Sequence, residues 1–302
     1  MGALNSRGDL AIAEIAFFSP AFVVGVAINF KQGFTGGVSW IYLVTLCILR
    51  LIGASCTLYM ESQNDYSQSL EETAFITSAI GTMPLLLVLL GILVRLHPRM
   101  GSAGFPLLIF RGIHLVGLAA LVLSIVGGTK VQSSDASSHN TGKDCLEAGS
   151  IVFLAIYVAL ALLTILTAFR GKAIPSAEKA LIFAGVGVLP VLCVRIVYTV
   201  ATSWSSAGSI FYYLTPNVVV QALMQFAMEA ISIVIYSWGG LTAPKAQPLD
   251  TGDVYKDVEE QKMTQPDAGF GGQQRVPRQQ PQRNINDYRP GRMIRNAIAS
   301  RN

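Results

Sequence analysis

Six ionisable side chains sit inside apolar stretches long enough to cross a membrane: Glu14, Arg50, Arg111, His114, Arg195 and Glu229. These residue types can form buried ion pairs, relay protons, or hold a charged ligand within a bundle. A charge at mid-bilayer costs about 2.5–3.5 kcal/mol on insertion scales, so such groups must face a polar interior or reach an interface. A second signal lies close to Glu229. Asn217, Gln221, Gln225 and Glu229 are spaced four apart, and Ser232 and Tyr236 continue the line. On a helix this is one drifting polar stripe, which suits the wall of a cavity or an interhelical hydrogen-bond seam. Glu14, Arg50, Arg111, His114, Arg195, Gln221, Gln225 and Glu229 are therefore the candidates for ligand binding or ion pairing.

The elements that must position them are membrane spans. The chain has 302 residues, 52% hydrophobic and only 13% charged, about half the charge of a soluble domain. Apolar runs of about 20 residues, the length of a spanning helix, lie near 10–30, 38–60, 73–94, 105–127, 146–169, 180–202 and 217–238. The third carries no charge. The expected fold is an all-α polytopic membrane protein: a seven-span domain over residues 1–242 and a disordered tail over 243–302. The first run contains Glu14 and Pro20 and lacks a basic leader, so it reads as a retained span rather than a cleaved signal.

Short loops carry the orientation signal. Lys31, Arg95, Arg99, Arg170, Lys172 and Lys179 cluster on one side, while the loop after the second span has Glu61, Asp65, Glu71 and Glu72 and no base. The amino terminus is expected outside and the carboxyl terminus in the cytoplasm, of the plasma membrane or an endomembrane. Trp40, Tyr42, Tyr59, Trp204, Tyr212, Tyr213 and Trp238 are placed as an interfacial belt. The Gly127–Asp144 connection is expected to be a mobile loop. Cys56 and Cys145 both fall near the outer side and form a candidate disulfide.

Rise per residue gives each charge a depth. Arg50 and Glu229 are both near the middle, and Glu14 and Arg195 both in the outer part, so the expected pairs are Arg50–Glu229 and Glu14–Arg195. Arg111, toward the cytoplasmic side with His114 a turn deeper, is left without an acid. Pro20, Pro84 and Pro190 are candidate kinks.

In the tail, Lys245–Ala268 holds three bases against six acids, and Gly269–Asn302 seven arginines against Asp287. This composition does not support a packed core, and its basic end suits anionic lipid. Tethering to spans argues against nucleic acid as a partner. Expected partners are the lipid bilayer and a small-molecule or lipid ligand. Three histidines, one at membrane depth, do not suffice for a several-His metal site. No span has a central Lys for a Schiff base. No nucleophile elbow, Walker loop or dinucleotide fingerprint occurs. An enzyme is not expected, and no cofactor or metal is assigned.

The run Arg7–Ile15 with Ser19-Pro20, Trp40-Ile41 with Leu49–Ala54, and Met228-Glu229 with Ile235-Tyr236 resemble a fungal family of multi-span membrane proteins known only as a domain of unknown function. The resemblance covers roughly residues 7–242. It implies a seven-span integral membrane protein and no activity, ligand or site. The expected function is receptor-like or sensory, with a polar intramembrane site. The alternative is a transporter or lipid translocator for an anionic or amphiphilic substrate, favoured by an uncompensated Arg111.

Overall fold

The computed structural model describes residues 5–33, 38–63, 65–97, 107–132, 135–170, 178–206, 208–212 and 217–245. All belong to one compact unit, Met1–Leu249. Tyr213 and the tail from 246 onward lie outside the described residues.

The described residues are helical, with no strand among them. In order they form α1 (Ser6–Gln32), α2 (Val38–Gln63), α3 (Gln68–Ile80), α4 (Thr82–Leu96), α5 (Leu107–Val131), α6 (Ala136–Phe169), α7 (Lys179–Ser203), α8 (Val218–Gln221), a π-helical segment (Ala222–Ala227) and α9 (Met228–Thr242). Taken end to end these make seven helices long and apolar enough to cross a membrane. Away from helix ends the polar backbone is satisfied within each helix, which is what a hydrocarbon solvent requires.

The uncharged third span is the axis. In its most apolar window 72% of residues are buried, against 22–44% in the other six spans. Leu85 to Leu90 are buried without interruption, as expected of a helix apolar on every side. α4 packs on α2, α5, α6, α7 and α9, while α1, α2, α3, α5, α6, α7 and α9 follow one another around it and close back on α1. The peripheral helices turn Val23, Phe30, Leu115, Leu162, Phe183 and Val234 outward, an apolar surface of the kind lipid covers.

The axial span is broken rather than merely kinked. Gly81 separates α3 from α4, and Pro84 follows three residues later. Proline has no N–H for the carbonyl four residues back, and its ring crowds that carbonyl. Helical bonding is interrupted there, leaving the last carbonyls of α3 without helical partners. Pro20 and Pro190, by contrast, lie inside continuous helices.

Three sequence expectations are corrected. The 127–144 stretch is mostly helical: α5 continues to Val131 and α6 begins at Ala136. Asp135 caps α6 through the backbone N–H of Ser138, with Ser137 and Ser138 hydroxyls on the same carboxylate. Those donors hold the Asp135 carboxyl below its ordinary range. Trp40 is not at an interface but 1% exposed, packed against Gly240; Tyr59, Trp204 and Trp238 are about half exposed, as a belt requires. Cys56 and Cys145 are free thiols, because α2 packs on α1, α3 and α4, whereas α6 packs on α5, α7 and α4.

The basic residues that gave the orientation signal also have a structural task at the end of the bundle where α1 and α4 finish. Lys31 donates to the Leu241 carbonyl. Gln32 donates to the carbonyls of Gly240 and Ala243, and Arg95 to Gln32 Oε1, Glu178 and the Pro244 carbonyl. Cations and amide donors thus cover the carbonyl end of α9.

The α5–α6 crossing is tight at Gly142, where an added Cβ would lie 2.4 Å from the Val131 nitrogen and 2.8 Å from the Lys130 carbonyl carbon. Backbone cannot rotate aside, so Gly142→Ala should destabilise the fold by about 1–3 kcal/mol. Gly187→Ala meets nothing within 4 Å and should not. Thermal melts of the two variants in detergent check this; equal melting temperatures would refute the crossing.

Candidate functional site

Glu229 organises the interior. It opens the turn after the π-helical segment and is fully buried. Its Oε1 accepts from Arg50 of α2 and, at 2.9 Å, from Nε of Arg195 of α7. Both guanidinium groups also reach the axial break: Arg50 Nη2 is 3.4 Å and Arg195 Nη2 3.3 Å from the Ser78 carbonyl. That carbonyl is one of those left without a helical partner by the α3–α4 break, and it sits at the negative end of the α3 dipole. Thus the helix break and the carboxylate together receive two arginines.

The remaining contacts lock the node in place. Arg195 Nη1 donates to Thr199 Oγ1 at 2.7 Å, and Thr199 lies 3.3 Å from Thr82 at the start of α4. Arg195 also lies over the Tyr198 ring, 5.6 Å from its centroid, a cation–π contact. Gln225 bonds to the Ser78 hydroxyl. With its amide turned so that neither end is mismatched, its oxygen accepts from Arg50 Nη1 at 2.7 Å and Nη2 at 3.2 Å. Gly81 lets Arg50 approach: a Cβ there would be 2.8 Å from Nη2 and 3.2 Å from Cζ. Two atoms are left over. Glu229 Oε2 and Arg50 Nε are buried without a hydrogen-bond partner.

Above the node is a cavity of about 230 Å³. Its floor takes in Glu14 of α1, Ser78 of α3, Arg195 of α7 and Gln225. Its walls include Thr57 of α2, Ser124 of α5, Ser150 and Phe153 of α6, Tyr198 and Thr202 of α7, and Gln221. Arg7, Glu61, Tyr66, Glu71 and Gln132 stand nearer the helix ends. All these lie toward the end of the bundle at which α1 begins and α2 finishes. Toward the other end the axis is packed by Leu85–Leu96.

Measured against the sequence expectations, the Arg50–Glu229 pair is present. The Glu14–Arg195 pair is not: Arg195 joins Glu229 instead, and Glu14, 7% exposed, has no ion pair or hydrogen bond from its carboxylate among the described residues. Arg111 is not in the interior at all. It lies on the exposed face of α5 one turn from its start, where its stem can carry the charge to the interface. His114 is half-buried with its ring 6.4 Å from that of Tyr42. The stripe on the last span holds in its lower part: Gln225, Glu229, Ser232 and Tyr236 are buried, and Tyr236 donates to the Leu85 carbonyl at 3.1 Å. Asn217 only caps α8. Ser78, Thr199 and Gly81 were not singled out from sequence. The signal for Ser78 and Gly81 was Pro84: a proline three residues past a glycine in a spanning run marks freed carbonyls; Thr199 had none.

Two cations share one carboxylate, so the partners are not equivalent. Glu229→Gln leaves two buried guanidinium groups without their counterion and should cost about 3–5 kcal/mol, whereas Arg50→Gln leaves one neutral pair and should cost less. Gly81→Ala should act like a partial Arg50 loss by pushing the guanidinium off the carboxylate. Unfolding of the three variants in mixed detergent–denaturant micelles gives the order; Arg50→Gln costing as much as Glu229→Gln would contradict the shared node.

Comparisons with known proteins add a family and no activity. No curated protein and no solved structure matches the chain. A family model described as Domain of unknown function (DUF7702) matches residues 4–246. That stretch takes in all seven apolar helices, the Arg50–Glu229–Arg195 node and the cavity above it, and the chain accordingly belongs to the DUF7702 family.

Proposed function

We propose that the protein is a receptor-like or sensory membrane protein whose ligand site is the cavity above Glu229, open to the non-cytoplasmic side. One observation carries this reading: a cavity at one end of the bundle ends on a buried charged node, and the axis beyond it is filled with leucine. A site open at one end suits sensing. The transporter alternative rested on an uncompensated Arg111 in the interior, and Arg111 lies on the outer surface. The acidic rim and the basic opposite end support an outside amino terminus and a cytoplasmic tail. The motifs in α1, α2 and α9 support a fungal source.

The node supplies a second arrangement. Glu229 Oε1 serves both arginines while Oε2 has no hydrogen-bond partner, so a small side-chain rotation transfers one guanidinium to the other oxygen. A ligand that touches Arg195, Gln221 or Gln225 biases that choice. Gln225 lies in the π-helical segment, an irregularity that recurs at functional sites, and Arg195 follows Pro190 by five residues on α7. Movement of α9 then reaches its carbonyl end, where Lys31, Gln32 and Arg95 hold the chain at Leu241–Pro244. The tail beyond is the output.

Two measurements test this. In sealed vesicles from expressing cells, with Cys56 and Cys145 replaced by Ser, an impermeant maleimide should label Glu61→Cys only where a carboxy-terminal tag is protected from protease. Labelling and digestion from one side would overturn the sidedness. A chain ending after Ala243 should sit in the membrane yet fail to restore the response of cells lacking the protein; full restoration would refute a signalling tail.

A further inference from the structure

We infer that the cavity binds a small organic cation through an ammonium group seated on Glu14; this rests on the cavity being the ligand site and specifies the ligand's chemistry.

Glu14 is the starting point. The residue is only 7% exposed and lines the cavity, and its carboxylate has no hydrogen bond or ion pair among the described residues. A buried carboxylate with nothing to accept from is costly unless a donor arrives. The neighbouring arginines give Glu14 no hydrogen bond, although Arg50 Nε has no other partner. Arg195 spends its contacts on Glu229, Thr199 and the Ser78 carbonyl, and Arg50 on Glu229 and Ser78, with the Gln225 oxygen alongside.

Beside the donors of Arg195, Gln221, Gln225 and Tyr198, the hydroxyls of the walls share one polarity of hydrogen bonding. Thr57 donates its hydroxyl proton to the Gly53 carbonyl, Ser124 to Ala120, Ser150 to Glu147, and Thr202 and Ser203 both to Thr199. Each proton is turned back into its own helix, so each oxygen offers only lone pairs to the cavity. Glu14 adds two more acceptor oxygens. These oxygens match a ligand that donates, and an ammonium carries three donors and no acceptor. Phe75 and Phe153 add aromatic rings to the lining, a side-chain type that attracts cations as well. At the rim Glu61 and Glu71 outnumber Arg7, which draws positive charge toward the mouth. About 230 Å³ far exceeds the roughly 10–15 Å³ that one water needs, so a bare inorganic ion does not fill the space.

The test uses the full chain in lipid nanodiscs and three probes of one length: butane-1,4-diammonium, butane-1,4-diol and succinate, followed by saturation-transfer NMR of the probe. The diammonium should bind saturably and the diol and succinate should not. Glu14→Gln should weaken the diammonium at least tenfold, and Glu14→Asp should keep most of the binding. Should Glu14→Gln fail to fold, Thr57→Val and Ser150→Ala, each removing one acceptor, should weaken binding several-fold at unchanged melting temperature. Equal binding of the diol, binding unaffected by all these changes, or displacement of the diammonium by equimolar sodium or potassium would overturn the proposal. No binding of the diammonium, with vesicle sidedness and tail dependence as expected, would overturn the ligand class and leave the sensory reading standing; failure of those two tests with diammonium binding intact would do the reverse.

Discussion

One carboxylate oxygen, Glu229 Oε1, receives two arginines at the depth where the axial helix breaks. The rest of the bundle follows from accommodating them. Burying a guanidinium is tolerable only where its donors are met, and a continuous helix offers no free carbonyl at mid-depth. The Gly81–Pro84 interruption provides one, at Ser78, and the absence of a Cβ at Gly81 leaves room for the guanidinium to reach it. The break is thus part of the charge arrangement and not a packing accident. It also explains why the axial span carries no charge at this depth: it contributes backbone dipole, and helices from three sides contribute the ions.

The seven spans were legible from apolar run length, and Arg50–Glu229 from equal depth. Depth is one coordinate, however, and pairing needs two. Glu14 and Arg195 match in depth, yet the side of α7 that carries Arg195 faces α9, so Glu229 takes both cations. Arg111 failed for the same reason: its position along α5 was sound, but which face of α5 meets lipid depends on the neighbours chosen by α5, namely α3, α4 and α6. Trp40 was read by composition as an interfacial ring, and it is a core residue because Gly240 leaves a space for it.

Other features were present in the sequence but mixed with a second meaning. Lys31 and Arg95 count toward the orientation signal, and they also close the carbonyl end of α9. The Ser- and Thr-rich cavity wall looks unremarkable in a spanning sequence, where such residues bond back to their helices. Only the placement of several of them around one unpaired carboxylate turns a common habit into a directional lining. The early start of α6 was hidden by Ser, Asp and Gly, residues that favour loops until one caps a helix and another lets two helices touch.

The π-helical segment Ala222–Ala227 has a consequence for rotational phase. An α-helix turns about 100° per residue, and a segment bonded five residues apart holds roughly one residue more per turn. Side chains before it, Gln221 among them, are therefore turned out of step with Glu229, Ser232 and Tyr236 beyond it. One span thereby presents two faces: a lower one fixed by the ionic core, and an upper one turned to the cavity, joined through Gln225.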